Sequence, residues 1–86
     1  MRSQKKYVVT LSAEERSILL DMISKGKGRA RTLLHARILL KCDSGSHGEN
    51  WTDRRIADAL ETTIITVERV RKRLVEGGME AALNRK

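Results

Sequence analysis

The sequence predicts an all-α fold, a small bundle of four to five helices, on three observations. None of the 86 residues is a proline, so no helix is interrupted by a ring that clashes with the preceding turn and lacks an N–H. Leu, Ile and Val together number 21, and Phe is absent. That is about a quarter of the chain, above the ~20% below which highly charged chains stay unfolded, and it makes the core aliphatic. Finally, a Ser-x-x-Glu box, two threonine caps and glycine stops fall at the ends of the apolar-periodic stretches. A chain of this length makes one domain, here spanning 1–86. It buries only ~60–65% of the surface it exposes when unfolded, so its core is thin.

Residues 1–6 read as a basic arm. Tyr7-Val8-Val9-Thr10 has strand propensity but is too short to pair alone, and is expected as an extended lead-in, with Leu11 stapling the helix that follows. Ser12 and Glu15 form a capping box, and the first helix runs from there to about Ser24 with Leu19, Met22 and Ile23 on its apolar face. Lys25-Gly26-Lys27-Gly28 ends it. In the second helix, 29–43, Leu33, Leu34, Ala36, Ile38, Leu39 and Leu40 cover more than one face. It is therefore expected at the bundle's centre, with His35 at its surface or boundary and Cys42 in or near the core. Residues 12–43 thus supply the supporting helices.

A polar loop, 44–50, carries His47 into solvent, and Trp51 is the one large aromatic anchor. Thr52 caps a third helix, 53–60, with Asp53 facing the positive end of its dipole. Residues 61–63 form a turn. Thr63 caps a fourth helix, 64–76, which Gly77-Gly78 stops. A last short turn then docks Met79 and Leu83 on the core.

Net charge is +7 and the isoelectric point about 10.2, which favours a polyanionic partner. The charge comes in blocks: +6 over residues 25–41 and +3 over 63–86, against −3 over 42–62. No run is long or apolar enough for a membrane span or a signal peptide. The lone Cys42 permits neither an internal disulfide nor a thiolate-rich metal site, and suits a reducing, cytoplasmic setting. Neither His35 nor His47 has a second ligand at metal-binding spacing. Asp21, Asp43, Asp53, Asp58 and the glutamates are scattered, no nucleophile lies beside a base, and Gly26-Lys27-Gly28-Arg29-Ala30 lacks the phosphate-loop spacing. The chain is accordingly expected to bind rather than to catalyse, without cofactor, metal, small-molecule substrate or membrane.

Residues 52–76 meet the requirements of a helix-turn-helix of homeodomain-like type. Ala57 is small where the two helices cross, and Ile56, Leu60, Val67, Val70 and Leu74 hold the pair to a support. At 100° per residue, Val67, Val70 and Leu74 fall within one arc of roughly 60°. Ile65, Glu68, Arg69, Lys72 and Glu76 lie opposite, flanked by Arg71 and Arg73. Arg69 and Lys72 then reach base edges or phosphates of double-stranded DNA, and Arg71 and Arg73 grip phosphates on either side. Glu68 accepts from a cytosine amino group or pairs with Lys72 at i,i+4, the favoured of the two. Thr63, Ile64 and Ile65 enter the groove first. Ile65 meets thymine methyl groups, or else Ile64 and Ile65 pack on a neighbouring helix or a second chain, as in a homodimer. Thr52, Arg54 and Arg55 at the start of the third helix face the backbone of the DNA; Lys27, Arg29 and Arg31 at the start of the second lie along phosphates or enter a narrow minor groove, or else form a solvated linker. Cations at a helix N-terminus oppose its dipole, so folding alone does not call for the last three.

The order of three segments resembles the N-terminal DNA-binding region of insertion-sequence transposases of the mariner-like superfamily. These are KYVVTLSAEER, RARTLLHARILLKCD and WTDRRIADALETTIITVERVRKRLVEGGMEAALNRK. The likeness covers nearly the whole chain and is most specific over IADAL, the turn and TVERVRKRLVEGGMEAALNRK. It implies binding to the terminal inverted repeats of a mobile element, with residues 63–73 as the recognition helix. It also implies a following RNase H-like catalytic domain, so these residues would form the non-catalytic part of a DDE-type transposase. Two positions depart from the pattern: Glu61 stands where the turn has glycine, and Ile64-Ile65 where the helix start is polar. A stand-alone transcriptional regulator on the same motif, or a protein-interaction or RNA-binding module, are the competing readings.

Overall fold

The computed structural model describes residues 7–26, 28–46 and 48–84, the side chain of Asn84 excepted. The basic arm 1–6, Lys27, His47 and the last two residues lie outside it. Four helices follow in order: α1 (Ala13–Lys25), α2 (Ala30–Cys42), α3 (Asp53–Leu60) and α4 (Ile64–Asn84). There is no strand among the described residues.

Each end has a local cause. The capping box at α1 is complete: Glu15 N–H donates to Ser12 Oγ at 3.0 Å, and Ser12 N–H to Glu15 Oε1 at 2.9 Å. The helix stops where Gly26 turns left-handed (φ 63°) and donates its N–H back to the Ile23 and Met22 carbonyls. α4 carries a break at Gly78, whose φ of 84° and ψ of −175° suit only glycine. The expected stop at Gly77-Gly78 is thus a one-residue interruption, and the helical turn beyond it returns to the core with Ala82 buried.

α2 occupies the centre and touches α1, α3 and α4. Ala36, Ile38, Leu39 and Cys42 from α2 meet Leu19 from α1, Ile56 and Ala57 from α3, and Val67, Val70 and Ala82 from α4. Trp51 is only partly buried against this cluster, so the deep core is aliphatic throughout. His35, expected at a surface or boundary, is instead 5% exposed. Its Nδ1 donates to the Ala82 carbonyl at 3.0 Å. Together with Thr32 Oγ1, which donates to the Leu83 carbonyl at 3.4 Å, it fastens the segment after Gly78 to α2.

The lead-in and the α2–α3 loop are held by Asp43, fully buried at the end of α2. Its carboxylate accepts from Leu11 N–H (3.0 Å), Gly45 N–H (2.8 Å) and Arg16 Nη1 (2.8 Å). Its carbonyl accepts from Asn50 N–H, and Ser44 N–H donates to the Val9 carbonyl. The loop packs so closely here that a Cβ at Gly48 would overlap the Asp43 backbone. Val9 and Leu11 are buried as a result. Tyr7–Thr10 is therefore an extended lead-in, as its composition suggests.

Burial pushes the Asp43 carboxyl up, but the two backbone donors and the Arg16 guanidinium outweigh it and hold the group below its ordinary value of 3.8. A depressed carboxylate stabilises the fold above that ordinary value, and the contribution is lost as pH falls through it toward the lower folded value. Denaturant titrations at neutral pH and near pH 3 should show the loss in the natural chain and a shallower one in Asp43→Asn. Asp43→Ala, which strands two buried N–H groups and a cation, is expected to cost ~3 kcal/mol or more at pH 7. At the α3–α4 turn Glu61 has φ 58° and ψ 47°, a left-handed conformation. Removing its Cβ relieves about 1–2 kcal/mol of strain and adds about 0.5–1 kcal/mol of unfolded-state entropy. Glu61→Gly should thus raise the denaturation midpoint slightly, and a lowered midpoint would contradict this account of the turn.

Candidate nucleic-acid interface

α3 and α4 are set by their caps and by the turn between them. Thr52 Oγ1 accepts from Arg55 N–H at 3.2 Å, and Thr63 Oγ1 from Thr66 N–H at 3.1 Å. Glu61 and Thr62 both donate backbone N–H groups to the Ala57 carbonyl, so the left-handed residue reverses the chain in three residues without glycine. Ile56, Ala57, Val67 and Val70 are buried between the helices and α2, with Leu60 and Leu74 partly buried beside them.

The face of α4 opposite this seam is exposed along its length, at Ile65, Glu68, Arg69, Lys72 and Glu76. Arg69 and Lys72 thus stand where helical phase puts them. Glu68 and Lys72 are not paired with each other, contrary to the favoured expectation. The i,i+4 spacing alone contributes only a few tenths of a kcal/mol, too little to hold two solvated side chains together. Arg73 is half-buried on the flank.

Arg71 requires a correction. Read as a phosphate grip, it is in fact buried, its side chain 3% exposed. Nε donates to Asp53 Oδ1 at 2.6 Å, Nη1 to the Tyr7 carbonyl at 3.3 Å and Nη2 to the Trp51 carbonyl at 3.4 Å. The guanidinium joins the lead-in, the loop before α3, the first turn of α3 and the middle of α4. The physical reason is phase: residue 71 lies roughly 70° from the centre of the Val67–Val70–Leu74 arc, close enough for a long side chain to run inward. Asp53 meets it as well as the α3 dipole.

Of the other residues expected at the interface, Arg54 is exposed on α3. Arg55 is also exposed, but its guanidinium lies 4.0 Å from the centre of the Trp51 ring, with Lys41 Nζ over the same ring at 4.3 Å. The ring quadrupole attracts both cations, and Glu49 Oε1, 3.4 Å from Lys41 Nζ, offsets their mutual repulsion. The sequence carries no signal for Lys41 here, because no local spacing relates it to a tryptophan across a loop. Thr52 and Thr63 are exposed caps. Arg29 is the N-cap residue of α2 and makes no side-chain cap; Arg31 is exposed in the first turn, which has no acid. This end of α2 is tied to Leu83, at the C-terminal end of α4 rather than beside Ile64 and Ile65. Lys27 lies outside the described residues.

No family model, curated protein or solved structure matches the chain. Among the described residues no helix is long and apolar enough to cross a membrane.

The burial of Arg71 separates two kinds of arginine in α4. Arg71→Ala should destabilise the protein by ~2–4 kcal/mol, because it leaves Asp53 and two carbonyls without their donor. Arg69→Ala should move the denaturation midpoint by no more than ~0.5 kcal/mol, as for an exposed position. Equal losses in urea titrations would refute the distinction.

Proposed function

We propose that the chain binds double-stranded DNA through a helix-turn-helix of homeodomain-like form, with α3 as the supporting helix and α4 as the recognition helix. The observation that carries this reading is the two-sided build of α4. One side is sealed by Val67, Val70 and the buried Arg71; the other offers Arg69 and Lys72 to solvent on a rigid helix. A helix of that width fits the major groove, where an arginine reads guanine O6 and N7 and a lysine reaches the same edge or a phosphate. Arg54 beside the capped start of α3, and Arg29 and Arg31 at α2, supply backbone contacts at other points. The net charge of +7 supplies the long-range attraction.

The resemblance of the sequence to mariner-like insertion-sequence transposases extends the proposal. On that reading the domain recognises the terminal inverted repeats of its own element. Selection from sheared genomic DNA checks this extension by itself. Recovery of inverted repeats flanking the coding region supports it, whereas recovery of other sites leaves DNA binding and removes the transposase.

Arg69→Ala and Lys72→Ala are each expected to weaken specific binding by ~1–3 kcal/mol with unchanged circular dichroism. For the natural chain the logarithm of affinity should fall linearly with the logarithm of salt concentration, by about 0.9 per phosphate neutralised. Fluorescence-anisotropy titrations over a salt series read both. Affinity insensitive to salt, or unmoved by either substitution, would sink the DNA reading and leave a protein partner.

A further inference from the structure

Two isoleucines open α4, and neither belongs to the core cluster or to the side chains packed against it. Ile64 is 41% and Ile65 61% exposed, so neither is the core contact that an apolar pair at a helix start ordinarily makes. Helix formation does not call for them either, since β-branched residues are among the weaker helix formers. The other large apolar side chains exposed among the described residues, Val8, Ile18, Leu20 and Val75, are not adjacent in sequence, and single exposed apolar residues are common. Ile64 and Ile65 are instead adjacent, in the turn that leads the helix.

The threonines beside them serve the helix cap in part. Thr63 Oγ1 is engaged by Thr66 N–H and lies 2.9 Å from Thr66 Oγ1. The two threonine hydroxyls share one hydrogen bond, and Thr63 also caps the Thr66 N–H, so part of the polar capacity of this turn is used in the cap while the isoleucine side chains stand exposed beside it. One turn further on, Arg69 and Lys72 are exposed.

We infer that Ile65, with Ile64 beside it, reads the C5-methyl group of thymine, so that the binding site carries thymine where the start of α4 enters the groove. This rests on the DNA-binding reading above. Thymine presents the only apolar group on the major-groove edge of any base. Against the amino groups of cytosine or adenine, or the acceptors of guanine, an isoleucine strips water without replacing its hydrogen bond. Isoleucine is also stiff about χ1, so little side-chain freedom is lost on contact. Arg69 and Lys72 are placed for a guanine edge or phosphates further along the groove; the methyl contact adds a preference for thymine at a separate position.

Uracil tests this directly, because it keeps every hydrogen-bonding group of thymine and lacks only the methyl. A duplex with a randomised core is selected on the full 86-residue chain. The winning sequence is then remade with 2′-deoxyuridine at one thymine at a time. At one or two positions the affinity of the natural chain should fall roughly fourfold, the worth of one buried methyl. Ile65→Ala, folded by circular dichroism, should show no such fall there, while still losing affinity with salt. The inference is overturned if uracil is tolerated at every position, or if Ile65→Ala loses as much as the natural chain. It is also overturned if sedimentation shows that Ile65→Ala splits a dimer without changing the uracil response, which would assign the pair to a second copy. If no duplex is retained in a salt-dependent way, the DNA reading itself fails, and the methyl contact with it.

Discussion

The arrangement of the last two helices depends on one buried cation. Arg71 runs inward from the middle of α4 and gives Nε to Asp53, Nη1 to the Tyr7 carbonyl and Nη2 to the Trp51 carbonyl. Taking a guanidinium out of water is unfavourable unless its hydrogens are placed, and here three separate segments supply the acceptors. The acceptors lie 18, 64 and 20 residues from Arg71 in sequence, so the buried guanidinium fixes how the lead-in and the loop leading into α3 sit against α4. Apolar packing between α3 and α4 is small, resting on Ile56, Ala57, Val67 and Val70. Such contacts are non-directional and tolerate sliding. A planar fork with fixed donor directions does not.

Asp43 performs the complementary task at the C-terminal end of α2. A thin aliphatic core cannot by itself order a ten-residue connection or an extended lead-in, because irregular backbone leaves N–H and C=O groups that need partners. Asp43 satisfies four donors from three segments, one of them the Arg16 guanidinium of α1. Val9 and Leu11 are thereby drawn into the core from a segment with no secondary structure of its own. The two buried ion pairs thus tie loops to helices, where the apolar cluster ties helices to one another.

Much of this was legible in the sequence, and the part that was not has a common cause. Caps are local: Ser12 with Glu15, Thr52 and Thr63 sit three residues from the N–H groups they satisfy, so α1 and α3 were readable to within a residue. The glycine pair in α4 marked its break for the same reason. The burial of His35 and Arg71 is not legible locally, because a polar residue type on a helix points to the surface. Their partners, Ala82 and Asp53, lie 47 and 18 residues away and leave no mark at helical spacing. Phase nevertheless carried a usable signal for Arg71, which stands nearer the apolar arc of α4 than Arg69 or Lys72 does. Asp43 had no such signal, being one acid at the end of a helix and beside a polar loop. On the candidate site, phase placed Arg69 and Lys72 outward, while the stacking of Arg55 and Lys41 on Trp51 required the folded loop.

The consequence for function is a division among cations that composition treats alike. Residues 69–73 contain four, yet they lie at different angles to the seam, and angle decides what each is available for. Arg71, nearest the seam, is consumed in building the surface. Arg69 and Lys72, on the far side, lie on that surface. Arg55 falls between: it is exposed, but stacked on Trp51, so using it to grip a phosphate means lifting it from the ring or approaching along the ring's edge. Counting basic residues would therefore overstate how many cations this domain leaves free for any polyanion. The side chains that stand exposed on the outer face of α4 are Arg69 and Lys72, with Ile64 and Ile65 at its start.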